Sequence, residues 1–213
     1  MKAIFKSNLS FLFPYFIFLL LGAALIIANS KADTHLEFNS YHSSFFDVFF
    51  SYITNLGDGV TALIVVIILL VVKFRFALIA GLANIISAAI TQTLKHTVFS
   101  DVVRPKKFFE GIHDLYLVPG VENYLYNSFP SGHSTCAFSL YFSLALIVER
   151  KVYKFILFML AFLVGYSRIY LSQHFLQDVY AGSLIGVSTS LIVFYFIKKS
   201  NRSWLEKSLI TVF

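Results

Sequence analysis

Ser167-Arg168 is followed by His174 and Asp178, and Pro130-Ser131-Gly132-His133 stands ahead of them. These groups lie in a strongly apolar part of the chain, where ionisable side chains cost enough free energy to mark function. His174 and Asp178 are four residues apart, a spacing that sets both on one face of a helix start. A carboxylate beside an imidazole fixes its tautomer and stabilises the imidazolium, which leaves the other ring nitrogen as a nucleophile. Ser131 is suited to cap a helix, Gly132 lets backbone approach a ligand closely, and the N–H groups of a first turn point at an anion. His133, one turn from such an anion, is placed to protonate a departing oxygen. Arg168, with Arg104-Pro105 and Lys95 upstream, supplies three cations for a phosphoryl group whose transition state spreads charge over its equatorial oxygens.

The elements that must position these groups are membrane helices. Of 213 residues, 58% are hydrophobic and 13% charged, too little polar surface for a soluble domain of this size. The fold class expected is all-α: a single polytopic domain over 1–213, a bundle of six transmembrane helices. Charge-poor windows place the spans near 9–29, 57–72, 76–94, 132–149, 153–170 and 175–197. The charge-free cores at 134–148 and 155–167 are too short for a hydrocarbon layer of about 30 Å. Those helices must continue into His133 and Arg168, which puts both at headgroup depth. The aromatic segment 36–54 reads as an amphipathic helix lying in the interface. Residues 95–129 form one long outer loop, a length that usually signals function. The first span resembles a signal peptide, but its apolar run is long and Ala28-Asn29-Ser30 is a poor cleavage site, so an uncleaved anchor is expected.

Basic residues set the orientation. With the N-terminus inside, the inner set is Lys2, Lys6, Lys73, Arg75, Arg150, Lys151, Lys154, Lys198, Lys199, Arg202 and Lys207. The outer set is the smaller: Lys31, Lys95, Arg104, Lys106, Lys107 and Arg168. The termini are therefore expected in the cytoplasm of an inner (plasma) membrane of bacterial type, with the site on the periplasmic face. The same topology explains the net charge of +6 without nucleic acid. A lone Cys136 excludes an intramolecular disulfide and a cysteine-rich metal site, and it reads as packing. His35 and His42 read as interfacial polar residues, His96 and His113 as loop groups, and Gly182 with Gly186 as a close-packing pair.

The two motifs resemble the type 2 phosphatidic acid phosphatase superfamily, integral-membrane lipid phosphatases related to glucose-6-phosphatase and the vanadium haloperoxidases. That family carries three blocks: Lys-x6-Arg-Pro, Pro-Ser-Gly-His and Ser-Arg-x5-His-x3-Asp. The second and third are present throughout as Pro130 to His133 and as Ser167, Arg168, His174 and Asp178. The first departs, with eight residues between Lys95 and Arg104. The resemblance implies a metal-independent, cofactor-free hydrolysis of a lipid phosphomonoester or diphosphate. His174 would form a phosphohistidine supported by Asp178, and His133 would protonate the leaving oxygen. Lys95, Arg104, Ser131, Gly132 and Arg168 would hold the phosphoryl oxygens. Its partners would be the bilayer and a lipid phosphate: undecaprenyl diphosphate, a lipid A phosphate, phosphatidylglycerol phosphate or phosphatidic acid. Phosphotransfer to an acceptor alcohol, and a non-catalytic lipid binder or transporter on the same fold, are the rival readings.

Overall fold

The computed structural model describes residues 2–212, and helices and connecting segments make up all of it. In chain order the helices are α1 (Lys2–Ser7), α2 (Leu9–Ala28), α3 (Lys31–Asn39), α4 (Ser44–Ile53), α5 (Gly59–Val72), α6 (Phe74–Thr93), α7 (Pro105–Phe108), α8 (Gly132–Ile147), α9 (Lys151–Tyr170), α10 (Leu176–Lys199) and α11 (Leu209–Val212). Short polar side chains start several of them. Ser30 caps α3 through Asp33 N, Ser43 caps α4 through Phe46 N, Asp58 caps α5 through Val60 N and Ser131 caps α8 through Ser134 N.

Among the described residues, four helical stretches are long and apolar enough to cross a membrane: α2, α6 continued to Val98, α9 and α10. A fifth candidate is α4 with α5, joined through Thr54–Gly57 and bent by 54°. The expectation of six spans thus meets four, or five with the bent pair. Helix α8, read from sequence as a span, has 16 residues and a length of about 24 Å. It lies at the centre of the bundle, packed against α6, α9 and α10, with most of its residues buried. A helix wrapped by protein rather than lipid has no hydrocarbon thickness to match.

The bundle is apolar outside and partly polar inside. Leu20, Ile27, Ile85 and Phe196 are exposed on α2, α6 and α10, while Ser139, Ser143 and Ser190 are buried between α8 and α10. Ser190 Oγ donates to Ser139 O at 2.9 Å and lies 3.1 Å from Ser143 Oγ. A Cβ at Gly182 would stand 2.7 Å from Ser131 O, and one at Gly186 2.6 Å from Thr135 O. These two glycines let the α10 and α8 backbones touch, the small-residue packing that membrane helices use without a hydrophobic driving force between them.

The segment 36–54 differs from expectation. It is not one interfacial helix but the end of α3, a break at 40–43 and then α4, because Ser43 caps a new helix there. His35 is buried, with Nε2 3.2 Å from Ser172 Oγ, and His42 Nδ1 lies 3.2 Å from Asp47 Oδ1. His35 is an internal polar group of the cap over the bundle end, while His42, half-buried, is held there by Asp47.

Candidate active site

The ends of α6 and α9 and the starts of α8 and α10 come together at one end of the bundle. Helix α9 stops at Tyr170, and a tight turn follows in which the Arg168 carbonyl accepts from Gln173 N at 2.9 Å and His174 N at 3.0 Å. Ser172 takes a positive φ of 52° to close that turn. His174 therefore precedes α10, and the pairing with Asp178 is not made across one helix face as the spacing suggested. Asp178 sits at the third position of α10 and reaches back. Its Oδ2 accepts from Phe175 N at 3.0 Å and Ser128 Oγ at 2.5 Å, and lies 3.2 Å from His174 Nδ1. One carboxylate oxygen thus caps the helix and fixes the imidazole, which leaves Nε2 as the free ring nitrogen. Burial first, then the charges of Arg104, Lys95 and Arg168, hold the His174 pKa well below the ordinary 6.5. The ring is neutral and its lone pair available.

The start of α8 is locked to the same place. Ser131 N donates to the Asp178 carbonyl at 3.0 Å, and Ser131 Oγ accepts from Ser134 N at 3.3 Å and from Ser134 Oγ at 2.9 Å. Ser131 is fully buried, so its hydroxyl serves the cap. A Cβ at Gly132 would meet no heavy atom within 4 Å, so this residue presents open backbone. His133 lies beside it in a cavity of about 480 Å³ that runs between α5 and α6 along Ala62, Val66, Gly81 and Ile85.

Three cations converge around His174. Arg104 precedes Pro105 at the start of α7 and is drawn in by pairing of the loop, with Arg104 N donating to Leu125 O at 2.8 Å and Ser128 N to Val102 O at 2.9 Å. Its Nε donates to Tyr126 O at 2.9 Å. Arg168 Nη1 donates to Thr54 Oγ1 at 2.6 Å, and its buried Nε has no partner. Lys95 is buried, with Nζ donating to Asn127 O at 2.8 Å. The longer spacing from Lys95 to Arg104 begins in a π-turn, Leu94–Val98, where Phe99 N bonds to Leu94 O five residues back. Such a turn takes in one residue more than an α-turn. Among the described residues, none of these three cations forms an ion pair with a carboxylate; the ion pairs present lie elsewhere, save His174–Asp178.

All eight residues singled out in the sequence lie at this end. Three partners were not singled out. Ser128 stands two residues ahead of Pro130, close enough for a hydroxyl there to be suspected. Gln173 hides in the five-residue gap before His174. Thr54 comes from a remote segment and carries no sequence signal.

A bundle of apolar helices, with imidazoles and cations without carboxylate partners gathered at one end, defines a class of polytopic helical membrane protein. The sequence signature of the PAP2 superfamily matches residues 76–202, and the chain belongs to that superfamily. It is 29% identical over 178 residues to a lipid A 4'-phosphatase of Bacteroides thetaiotaomicron, covering 79% of this chain and 77% of that protein. It is 39% identical over 79 residues to the bacitracin transport permease protein BcrC of Bacillus licheniformis, an alignment spanning 37% of this chain and 38% of that relative. The crystal structure of Aquifex aeolicus LpxE superposes with a TM-score of 0.68 at 29% identity, over 76% of this chain and 93% of that one. A phosphatidylglycerolphosphate phosphatase of PAP2 type from Bacillus subtilis, 24% identical with a TM-score of 0.64, shares the fold over 92% of this chain and 98% of its own.

Proposed function

We propose that this chain is a membrane-embedded phosphatase that hydrolyses a phosphomonoester or diphosphate of a lipid through a phosphohistidine on His174. The observation that carries the reading is the convergence of Lys95, Arg104 and Arg168, without a carboxylate partner, on a neutral His174. Burying several like charges together is costly unless an anion compensates them. A phosphoryl dianion supplies that compensation, and the free Nε2 faces the work of attacking it.

In the proposed first step, His174 Nε2 forms a bond to phosphorus while the bond to the leaving oxygen breaks, and His133 gives that oxygen its proton. Asp178 holds the imidazole in the tautomer that leaves Nε2 unprotonated. In the second step a water gives its proton to His133 and attacks phosphorus, the N–P bond breaks, and inorganic phosphate leaves. Lys95, Arg104, Arg168 and the open backbone at Gly132 take the equatorial oxygens, with Ser131 shaping that turn. Charge stabilisation falls to the three cations, so the reaction proceeds without a metal.

A lipid substrate is supported by the cavity at His133. It is lined mainly by apolar side chains of α5 and α6, suited to the chain of a molecule whose phosphate lies at the bundle end. Over six passes, counting the α4–α5 pair and α8, the ends of α6 and α9 and the starts of α8 and α10 fall on one side. The basic-residue asymmetry supports a periplasmic position for that side, with the termini cytoplasmic. Among the four substrates considered, the likeness to a lipid A 4'-phosphatase, 29% identical over 79% of this chain, favours a lipid A phosphate.

The test is phosphate release by the purified protein in detergent from lipid A, undecaprenyl diphosphate, phosphatidylglycerol phosphate and phosphatidic acid, with and without EDTA. The expected result is release from at least one, fastest from lipid A, undiminished by EDTA. Turnover that disappears in EDTA and returns with Mg²⁺ would contradict the mechanism, and binding without release from any of them would contradict the enzyme reading.

A further inference from the structure

Gln173 is 2% exposed and lies between Arg168 and His174, yet no step above uses its side chain. We propose that Gln173 is the positioning residue of the two arginines, its amide oxygen setting the Arg104 and Arg168 guanidiniums side by side for a phosphoryl group. Gln173 Oε1 accepts from Arg104 Nη1 at 3.3 Å and from Arg168 Nη2 at 3.3 Å. Its Nε2 donates to Glu122 O at 2.7 Å and to Asn123 Oδ1 at 2.8 Å. Arg104 Nη1 also donates to the Gln173 carbonyl at 3.3 Å.

A primary amide has two acceptor sites and two donor hydrogens, and all four are used here. The orientation follows from the partners: turned over, the NH₂ group would face two guanidiniums and the oxygen would face two acceptors. The choice of an amide also follows from charge. Two guanidiniums brought together repel, and a carbonyl dipole between them offsets part of that repulsion while leaving both charges whole for the ligand. A carboxylate at this position would hold the arginines more firmly but neutralise one of them, in competition with the phosphoryl oxygens. An aliphatic side chain would leave them free to splay. The Nε2 bonds tie the pair to residues 122–123, so the loop and both arginines share one anchor.

The inference rests on the reading of Arg104 and Arg168 as phosphate ligands, and the test separates the two. The measurement is the Kd of inorganic phosphate for the purified protein in detergent, for wild type, Arg168→Ala, Gln173→Ala and the double variant. Gln173→Ala alone should weaken phosphate binding by about tenfold, the scale of a charge-assisted contact. In the Arg168→Ala background the same change should cost only about threefold, because the Arg104 contact alone is left to lose. Steady-state kinetics should show the loss in KM more than in kcat. If Arg168→Ala leaves the phosphate Kd unchanged, the phosphate reading itself fails. If Arg168→Ala weakens binding but Gln173→Ala has no effect, or the same effect in both backgrounds, the positioning role alone fails. Should Gln173→Ala not fold, the near-isosteric Gln173→Glu keeps both arginine contacts and should still weaken phosphate binding by about tenfold or more; unchanged affinity would overturn the proposal.

Discussion

Helix α6 and the π-turn that continues it carry a cation near each end, Arg75 and Lys95, separated by roughly 30 Å of helix, and the two ends hold charge in different ways. Arg75 is fully engaged by the protein. Its Nη1 donates to Ile197 O at 2.6 Å, its Nη2 to Ser200 O at 2.9 Å and its Nε to Glu206 Oε1 at 2.6 Å, and Lys73 pairs with the same carboxylate. Lys154, the buried cation of α9's opposite end, stands alone against Ser7 O at 2.9 Å and Asn8 Oδ1 at 2.6 Å. At the far end, Lys95, Arg104 and Arg168 crowd together with neutral partners only. The first arrangement closes the α10 terminus and the C-terminal segment onto the bundle. On the proposed reading, the second is a cluster of charges kept for an anionic ligand, at a cost in stability that the ligand offsets. A single buried cation with neutral partners, Lys154, occurs at the first end too; what sets the far end apart is three cations crowded together without a carboxylate partner.

The contrast breaks if the two arginines behave alike when removed. Arg168→Ala should lower kcat/KM by about 10²–10³-fold, the scale of losing one preorganised charge at a transition state, with little loss of thermal stability. Arg75→Ala should leave kcat/KM within a few fold and instead cost about 1–2 kcal/mol of stability, read as a Tm lower by a few degrees. Equal losses of activity from both, or a stability loss confined to Arg168→Ala, would erase the distinction.

A smaller effect sharpens it. Burial first, and then the charges of Arg104, Lys95 and Arg168, hold the His174 pKa well below 6.5, and the nucleophile is lost only when pH falls through that depressed value. The acid limb of kcat/KM assigned to His174 should therefore lie well below 6.5. Lys95→Met removes one of the opposing charges, so the pKa rises and the acid limb should move to higher pH. A limb that stays in place, or moves the other way, would show that Lys95 does not act on His174.

Much of this candidate site was legible because its chemistry fixes spacing. Pro130 to His133 and Arg168, His174 and Asp178 are short blocks whose geometry a single turn or helix start can enforce. The helix windows were legible from absence of charge, and Gly182 with Gly186 from the small-residue pattern. The geometry of the His174–Asp178 contact was less so, because a four-residue spacing does not reveal that α10 begins at Leu176 and that Asp178 reaches back as its cap. The central place of α8 was hidden as well: its apolar run reads like lipid-facing sequence, although Phe138, Leu140 and Phe142 pack wholly inside protein. Thr54 and the burial of His35 depend on the bend and cap formed by α3 and α4, long-range packing that no local pattern encodes.

Trapping the covalent intermediate tests the central claim most directly. The protein should be mixed with the lipid phosphate it hydrolyses fastest, lipid A on this account, quenched within a turnover at alkaline pH to preserve a phosphoramidate, digested and read by mass spectrometry. The account predicts one added phosphoryl group on His174, absent in His174→Ala, which should retain no more than a trace of turnover while still binding inorganic phosphate. A phosphoryl group on another residue, or sustained turnover by His174→Ala, would contradict it.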